Sequence, residues 1–159
     1  MTTAAATWDE FEVGAPELAA AVRARFESTK HHVLATLRAD GAPRVSGTEV
    51  QFVGGRLYAG MMPGSVKAND LLRDPRFALH ANPGDGSMAG GDAKVGGIAE
   101  HVTDPDELAR YVESVEPPDF FLAHLRLTDA VLTSLHPDGD RLVIESWRPG
   151  GPVVRRERT

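Results

Sequence analysis

Turn length constrains this chain more than any other feature. Between His31 and Met62 three apolar runs, HHVLATLR, RVSGTEVQF and LYAGMM, are separated only by ADGAP and VGGR, glycine-bearing connections of hairpin length. Parallel neighbours need crossovers of a dozen residues or more, so these runs are expected to form three successive antiparallel strands. RFALHAN (76–82) and AKVGGIAEHV (93–102) read as a fourth and a fifth strand. FFLAHLRLTDAVLTSL (120–135) and RLVIESW (141–147), joined by HPDGD, read as a last hairpin with an Asp-Gly turn. This order excludes a parallel doubly wound sheet. A mainly β fold, a closed or half-closed antiparallel β-barrel with short helices, is expected, because closure removes exposed strand edges.

Three helices fit between the strands. PELAAAVRARFES (16–28) has Pro16 at a first helical position and Leu18, Val22 and Phe26 on one stripe. GSVKANDLLRDPRF (64–77) holds a short helix with Val66, Leu71 and Leu72 apolar, ending near Asp74 because the residue before Pro75 is pushed out of the α region. TDPDELARYVES (103–114) offers Thr103 or Asp104 as N-cap, and Leu108, Tyr111, Val112 and Val115 on one face. PGDGSMAGGD (83–92) is a loop, and Gly96-Gly97 inside a strand points to a bulge or a close backbone approach. The expected organisation is one split-barrel domain over 1–159: an N-terminal helix at about 16–28, a barrel over about 31–148, and a solvated tail at 149–159 holding Arg155, Arg156 and Arg158.

Composition narrows function by exclusion. A net charge of −6, with RRERT as the only basic cluster, argues against binding duplex nucleic acid. No apolar run approaches the roughly 20 residues that span a bilayer. MTTAAATWDEFEVG lacks the features of a leader, so a cytoplasmic location with no membrane partner is expected. The chain has no cysteine, so any redox chemistry must be borrowed from a cofactor. His31 and His32 point to opposite faces of a strand, and His80, His101, His124 and His136 lack ligand spacing, so no metal site is expected. Ser46, Ser65 and Ser87 do not lie in a nucleophile elbow, and neither a P-loop nor a dinucleotide fingerprint occurs.

One stretch carries chemistry. At Gly64-Ser65-Val66-Lys67 a helix begins, where free N–H groups and the positive end of the dipole stabilise an anion, and a hydroxyl and an ammonium add to it. Arg44, two elements earlier, is expected to face outward from its strand beside this turn, and its fork of donors suits a phosphate.

The order of these parts resembles the flavin-binding split β-barrel family of pyridoxamine 5'-phosphate oxidase: a strand with Arg44, a hairpin to LYAGMM, Gly64-Ser65-Val66-Lys67, a helix, then Asp74-Pro75-Arg76. Lys94-Val95-Gly96-Gly97 is similar to the family's Arg-Val-x-Gly, and Glu145-Ser146-Trp147 to its Glu-x-Trp. The resemblance implies an FMN phosphate held by Arg44, Ser65 and Lys67, an isoalloxazine approached by the backbone of Val45, Ser46, Gly60 and Met61, and a pocket closed by Trp147, with Arg158 a weaker candidate. It implies an oxidoreductase performing a two-electron hydride transfer on a small-molecule substrate, as a homodimer with the cofactor between subunits. The same barrel serves relatives that use F420 or haem, and a non-catalytic flavin or haem carrier is the alternative. Two positions depart from the family: Val66 replaces an arginine, and Asp92 aligns with a glutamine. The oxidase's Arg-x-His substrate motif is absent from VVRRERT.

Overall fold

The computed structural model describes residues 4–114 and 119–159. Along them run α1 (Trp8–Gly14), α2 (Pro16–Glu27), β1 (His32–Leu37), β2 (Pro43–Thr48), β3 (Val50–Val53), β4 (Arg56–Met61), α3 (Val66–Arg73), β5 (Arg76–His80), β6 (Asp92–His101), α4 (Pro105–Ser114), β7 (Phe121–Leu135), β8 (Leu142–Trp147) and β9 (Val154–Arg158). Every pairing is antiparallel. The strand order is β2-β1-β5-β6-β7-β4-β3, with β8 added to β7 and β9 to β8.

That order closes the barrel. β2 and β3 stand at opposite ends of the sheet, yet only Glu49 separates them in sequence. Consecutive Cα atoms are about 3.8 Å apart, so the sheet must roll until its two ends meet at Glu49. The sequence reading takes 44–52 as one strand. The chain instead bends at Thr48–Glu49, pairing first with β1 and then with β4. This is the split antiparallel β-barrel, with a bent strand shared between its two edges.

β7 is the spine, pairing with β4 through Phe121–His124, with β6 through Ala123–Thr133 and with β8 through Ala130–Leu135. The register slips between Gly96, opposite Asp129, and Gly97, opposite Leu127, so Thr128 is the extra residue of a bulge. A side chain at Gly97 is impossible there, since its Cβ would lie 1.8 Å from the Arg126 carbonyl oxygen.

Leu34, Leu57, Leu79, Val95, Leu125 and Leu127 fill the barrel, and Trp8, Phe11, Leu18, Val22 and Phe26 of α1 and α2 pack into the same core. Each such side chain contributes roughly 1.5–3 kcal/mol on burial. The sequence reading does not include α1. It is held by a capping box, with the Thr7 N–H donating to Glu10 Oε2 at 2.6 Å. The expected stripe of α2 is buried. On α4, Tyr111 is buried and Leu108 partly so, while Val112 is exposed and Val115 lies outside the described residues. The tail at 149–159 is not wholly irregular: Val154–Arg158 forms β9 on β8, although all five residues stay exposed. Among the described residues no helix is long and apolar enough to cross a membrane.

Candidate functional site: a charged seam between β2 and α3

The seam begins at Gly64, whose φ of +70° suits glycine and whose α-carbon faces open space. Ser65 caps α3, its Oγ accepting from the Ala68 N–H at 3.4 Å. The N–H groups of Val66 and Lys67, in the first turn, have no acceptor within the helix. Lys67 reaches across to β2 and donates from Nζ to the Gly47 carbonyl at 2.6 Å. Burial pushes its pKa below the usual lysine value, and the nearby Glu49 carboxylate partly offsets this.

The inward position of α3 is Asp70. The sequence reading gives this helix an apolar face of Val66, Leu71 and Leu72, yet Val66 and Leu72 are exposed while Asp70 and Leu71 are buried. Asp70 Oδ2 accepts from Thr36 Oγ1 at 2.8 Å and from Arg44 Nε at 2.7 Å. Its Oδ1 accepts from Arg73 Nη2 at 2.8 Å, and the same nitrogen donates to the Leu37 carbonyl at 2.7 Å. Burial alone would raise this carboxyl, but the hydrogen bonds from Arg73, Arg44 and Thr36 outweigh it and bring its pKa down to about 2. Asp70 is therefore ionised. One carboxylate between two guanidinium groups leaves one positive charge over, and Lys67 stands one turn away on the same helix.

Arg44 corrects an expectation. It does not extend freely from the outer face of β2: alternation turns Arg44, Ser46 and Thr48 toward one face, with Arg44 opposite Thr36 on β1. Its side chain is 23% exposed and tied through Nε to Asp70. Among the described residues Nη1 and Nη2 find no acceptor. Val45 points the other way and is 72% exposed. With Val33, Ala35, Ala78, Lys94 and Ile98 it lines an open groove of about 620 Å³ across β2, β1, β5 and β6.

The structure brings Arg44, Ser65 and Lys67 to one seam, with Ser46 on the Arg44 face of β2. The other sequence candidates lie elsewhere. Gly60 sits beneath α4, where a Cβ would meet the Tyr111 hydroxyl at 3.0 Å, so its open side receives a tyrosine of the same chain. Met61 is buried opposite Phe121. Trp147 is 3% exposed and stacked on Phe11 at 4.6 Å, which makes it a core aromatic under α1 in this chain and not a lid on the seam. Arg158 is exposed on β9. Val66, where the family has arginine, points to solvent, and Asp92 opens β6 opposite Thr133. Sequence reasoning missed Thr36 and Asp70; the available signal was a carboxylate three residues after Lys67, on the same side of a short helix.

A second polar seam lies beneath α4. Glu107 accepts from Arg56 Nη1 at 2.5 Å and from the Tyr58 hydroxyl at 2.6 Å. Burial, and then the Glu107 carboxylate, push the Tyr58 phenol up to about 12. His124, 4% exposed beside Tyr58, has its pKa lowered by burial first and by the Arg56 charge next. At the β7–β8 turn, His136, Asp138 and Asp140 bring ligand atoms within 4.8 Å of one another. Arg141 already partners them, donating to Asp140 at 2.6 Å and meeting His136 Nε2 at 3.0 Å.

A split antiparallel barrel with a cation-rich seam between β2 and α3 defines the class of protein. Residues 18–134 match the family model of pyridoxamine 5'-phosphate oxidase, more than half of the chain, and the chain belongs to that family. Solved structures agree on the fold. An FMN-binding, pyridoxamine 5'-phosphate oxidase-related protein from Nostoc punctiforme is 13% identical, with a TM-score of 0.62 over 91% of this chain and 96% of that one. PhzG from Burkholderia lata, solved with tetrahydrophenazine-1-carboxylic acid, is 15% identical, with a TM-score of 0.60 over 94% and 91%. The haem storage protein HutZ from Vibrio cholerae is 18% identical, with a TM-score of 0.54 over 72% and 89%. The curated proteins give no match.

Proposed function

We propose that this chain is an FMN-binding oxidoreductase that carries out a two-electron transfer on a small-molecule substrate. The observation that carries the reading is the surplus positive charge of the β2–α3 seam, where Arg44 keeps Nη1 and Nη2 without an acceptor beside Asp70, Lys67 reaches from the first turn of α3 to β2, and Ser65 with the first-turn N–H groups opens the helix. Such a set of donors suits a phosphate monoester dianion. FMN, when bound, supplies the hydride chemistry; the residues of this chain hold and orient it. Val45 and Ser46 at the β2 edge are the backbone positions best placed to border a ring whose phosphate is seated here.

The protein is further proposed to work in the cytoplasm as a homodimer, with the open groove over β2, β1, β5 and β6 facing a second copy. Val33 and Val45 expose apolar surface there, at 40% and 72%. In such an assembly the partner would bear on the Val45 face of β2, behind the Arg44 face, and Trp147, Gly60 and Met61 would serve as framework.

Titration with FMN, F420 and haem, followed by flavin fluorescence or absorbance, tests the cofactor. Saturable FMN binding at micromolar level or tighter is expected, and Lys67→Ala should weaken it by roughly 1.5–3 kcal/mol. Preference for F420 or haem, or an unchanged affinity in the variant, would sink the phosphate-seat reading. Light scattering tests the dimer, and a monomer at micromolar concentration would count against it.

A further inference from the structure

We infer that Asp70 is the positioning residue of this seat: it fixes the Arg44 guanidinium by Nε, so that Nη1 and Nη2 are presented together to a phosphate. The inference rests on the phosphate-seat reading and extends it to a residue that does not touch the ligand.

The geometry carries the argument. A guanidinium binds a phosphate best through two parallel N–H groups, which a free arginine side chain adopts only as one of many rotamers. Here the Nε edge is spent on a carboxylate that is itself 3% exposed in its side chain and is anchored by two further donors, Thr36 on the same oxygen and Arg73 on the other. Thr36 and Arg44 are direct cross-strand neighbours, so the carboxylate bridges α3 to two adjacent strands at one point. The terminal nitrogens are left without an acceptor among the described residues. A carboxylate beside an anion seat would repel a phosphate if it were unpaired. Arg73 on Oδ1 removes that conflict by keeping the local charge positive after Asp70 has engaged Arg44.

FMN and riboflavin differ by the phosphate alone, so the ratio of their affinities isolates the seat from the fold. Asp70→Asn is expected to lower the FMN-to-riboflavin ratio roughly 10- to 100-fold, the size of a lost charged hydrogen bond to the ligand, while riboflavin affinity stays within about threefold of wild type. Arg44→Ala should lower the ratio as much, and the double variant no further than Arg44→Ala alone. Arg73→Gln, which leaves the Nε contact in place, should move the ratio less than Asp70→Asn. A merely structural Asp70 would lower both affinities together with the ratio unchanged, and that outcome overturns the inference while leaving the phosphate seat standing. A wild-type ratio near one would overturn the seat and the inference together. Should Asp70→Asn fail to fold, Arg44→Lys decides: it keeps a cation but has no Nε edge, so the ratio should fall as in Arg44→Ala, and a ratio held at the wild-type value would refute positioning.

Discussion

The barrel carries two helices that lie against it through a carboxylate, and the seams they make have opposite characters. Under α3, Asp70 serves two arginines and a threonine and leaves net positive charge. Under α4, Glu107 serves one arginine and one tyrosine, and the account balances. The first seam is rimmed by Gly64 facing open space and by a helix start. The second is walled by Tyr58, Tyr111, Val102 and Leu122, a cluster separate from the main core. The same device therefore yields a seat in one place and a clamp in the other. What separates them is the count of cations per carboxylate and whether aromatic rings close over the result.

The largest effect should come from breaking the α3 seam at its centre. Asp70→Ala leaves two guanidinium groups and a buried threonine hydroxyl without their acceptor, and a loss of about 3–5 kcal/mol in chemical denaturation is expected. Glu107→Ala should cost less, about 1–3 kcal/mol, because Arg56 is 38% exposed in its side chain and can turn to water while Tyr58 cannot. Equal losses would remove the distinction between the seams. Gly60→Ala should cost about 1 kcal/mol by pressing on the Tyr111 hydroxyl. In a Tyr111→Phe background it should become neutral or slightly favourable, since alanine orders a strand at less entropic cost. An unchanged cost in that background would show that the hydroxyl is not what fills the space.

Acid should separate the two seams by pH. His124 has a folded pKa below its ordinary 6.5, so the stability it supplies is present above that value and is lost as pH falls below it. Asp70, ordinarily 3.8 and about 2 in the fold, keeps its contribution down to about pH 4 and loses it between there and about 2. On acidification the amides of α4 should lose exchange protection before those of α3. Alkali attacks the same seam: Tyr58, raised from 10.0 to about 12, supplies stability that is full below pH 10 and lost as pH rises through 12, whereas Lys67 in the α3 seam is shifted the other way and loses none on deprotonation. Loss of protection in both helices at one pH would show a single cooperative unit instead of two seams.

Much of this was legible in the sequence because it depends on local rules. The hairpin turns, the α2 stripe, the glycine pair at the bulge and the stop before Pro75 each follow from a few adjacent residues. The Thr7-Trp8-Asp9-Glu10 capping box was equally local, and α1 could have been found from it. Arg44, Ser65 and Lys67 were also within reach, as residue types suited to a phosphate.

What the sequence alone determined, then, is a run of antiparallel strands with an anion-suited helix start among them. The tertiary structure alone decided that 44–52 divides at Glu49 and shares itself between two edges, since closure is a property of the whole sheet and not of any window. It also decided that Arg44 turns inward to Asp70, that Gly60 receives Tyr111, and that Trp147 stacks on Phe11. Each of these joins residues at least 26 positions apart. Periodicity fixes which face a side chain takes, but only the folded chain fixes what waits on that face.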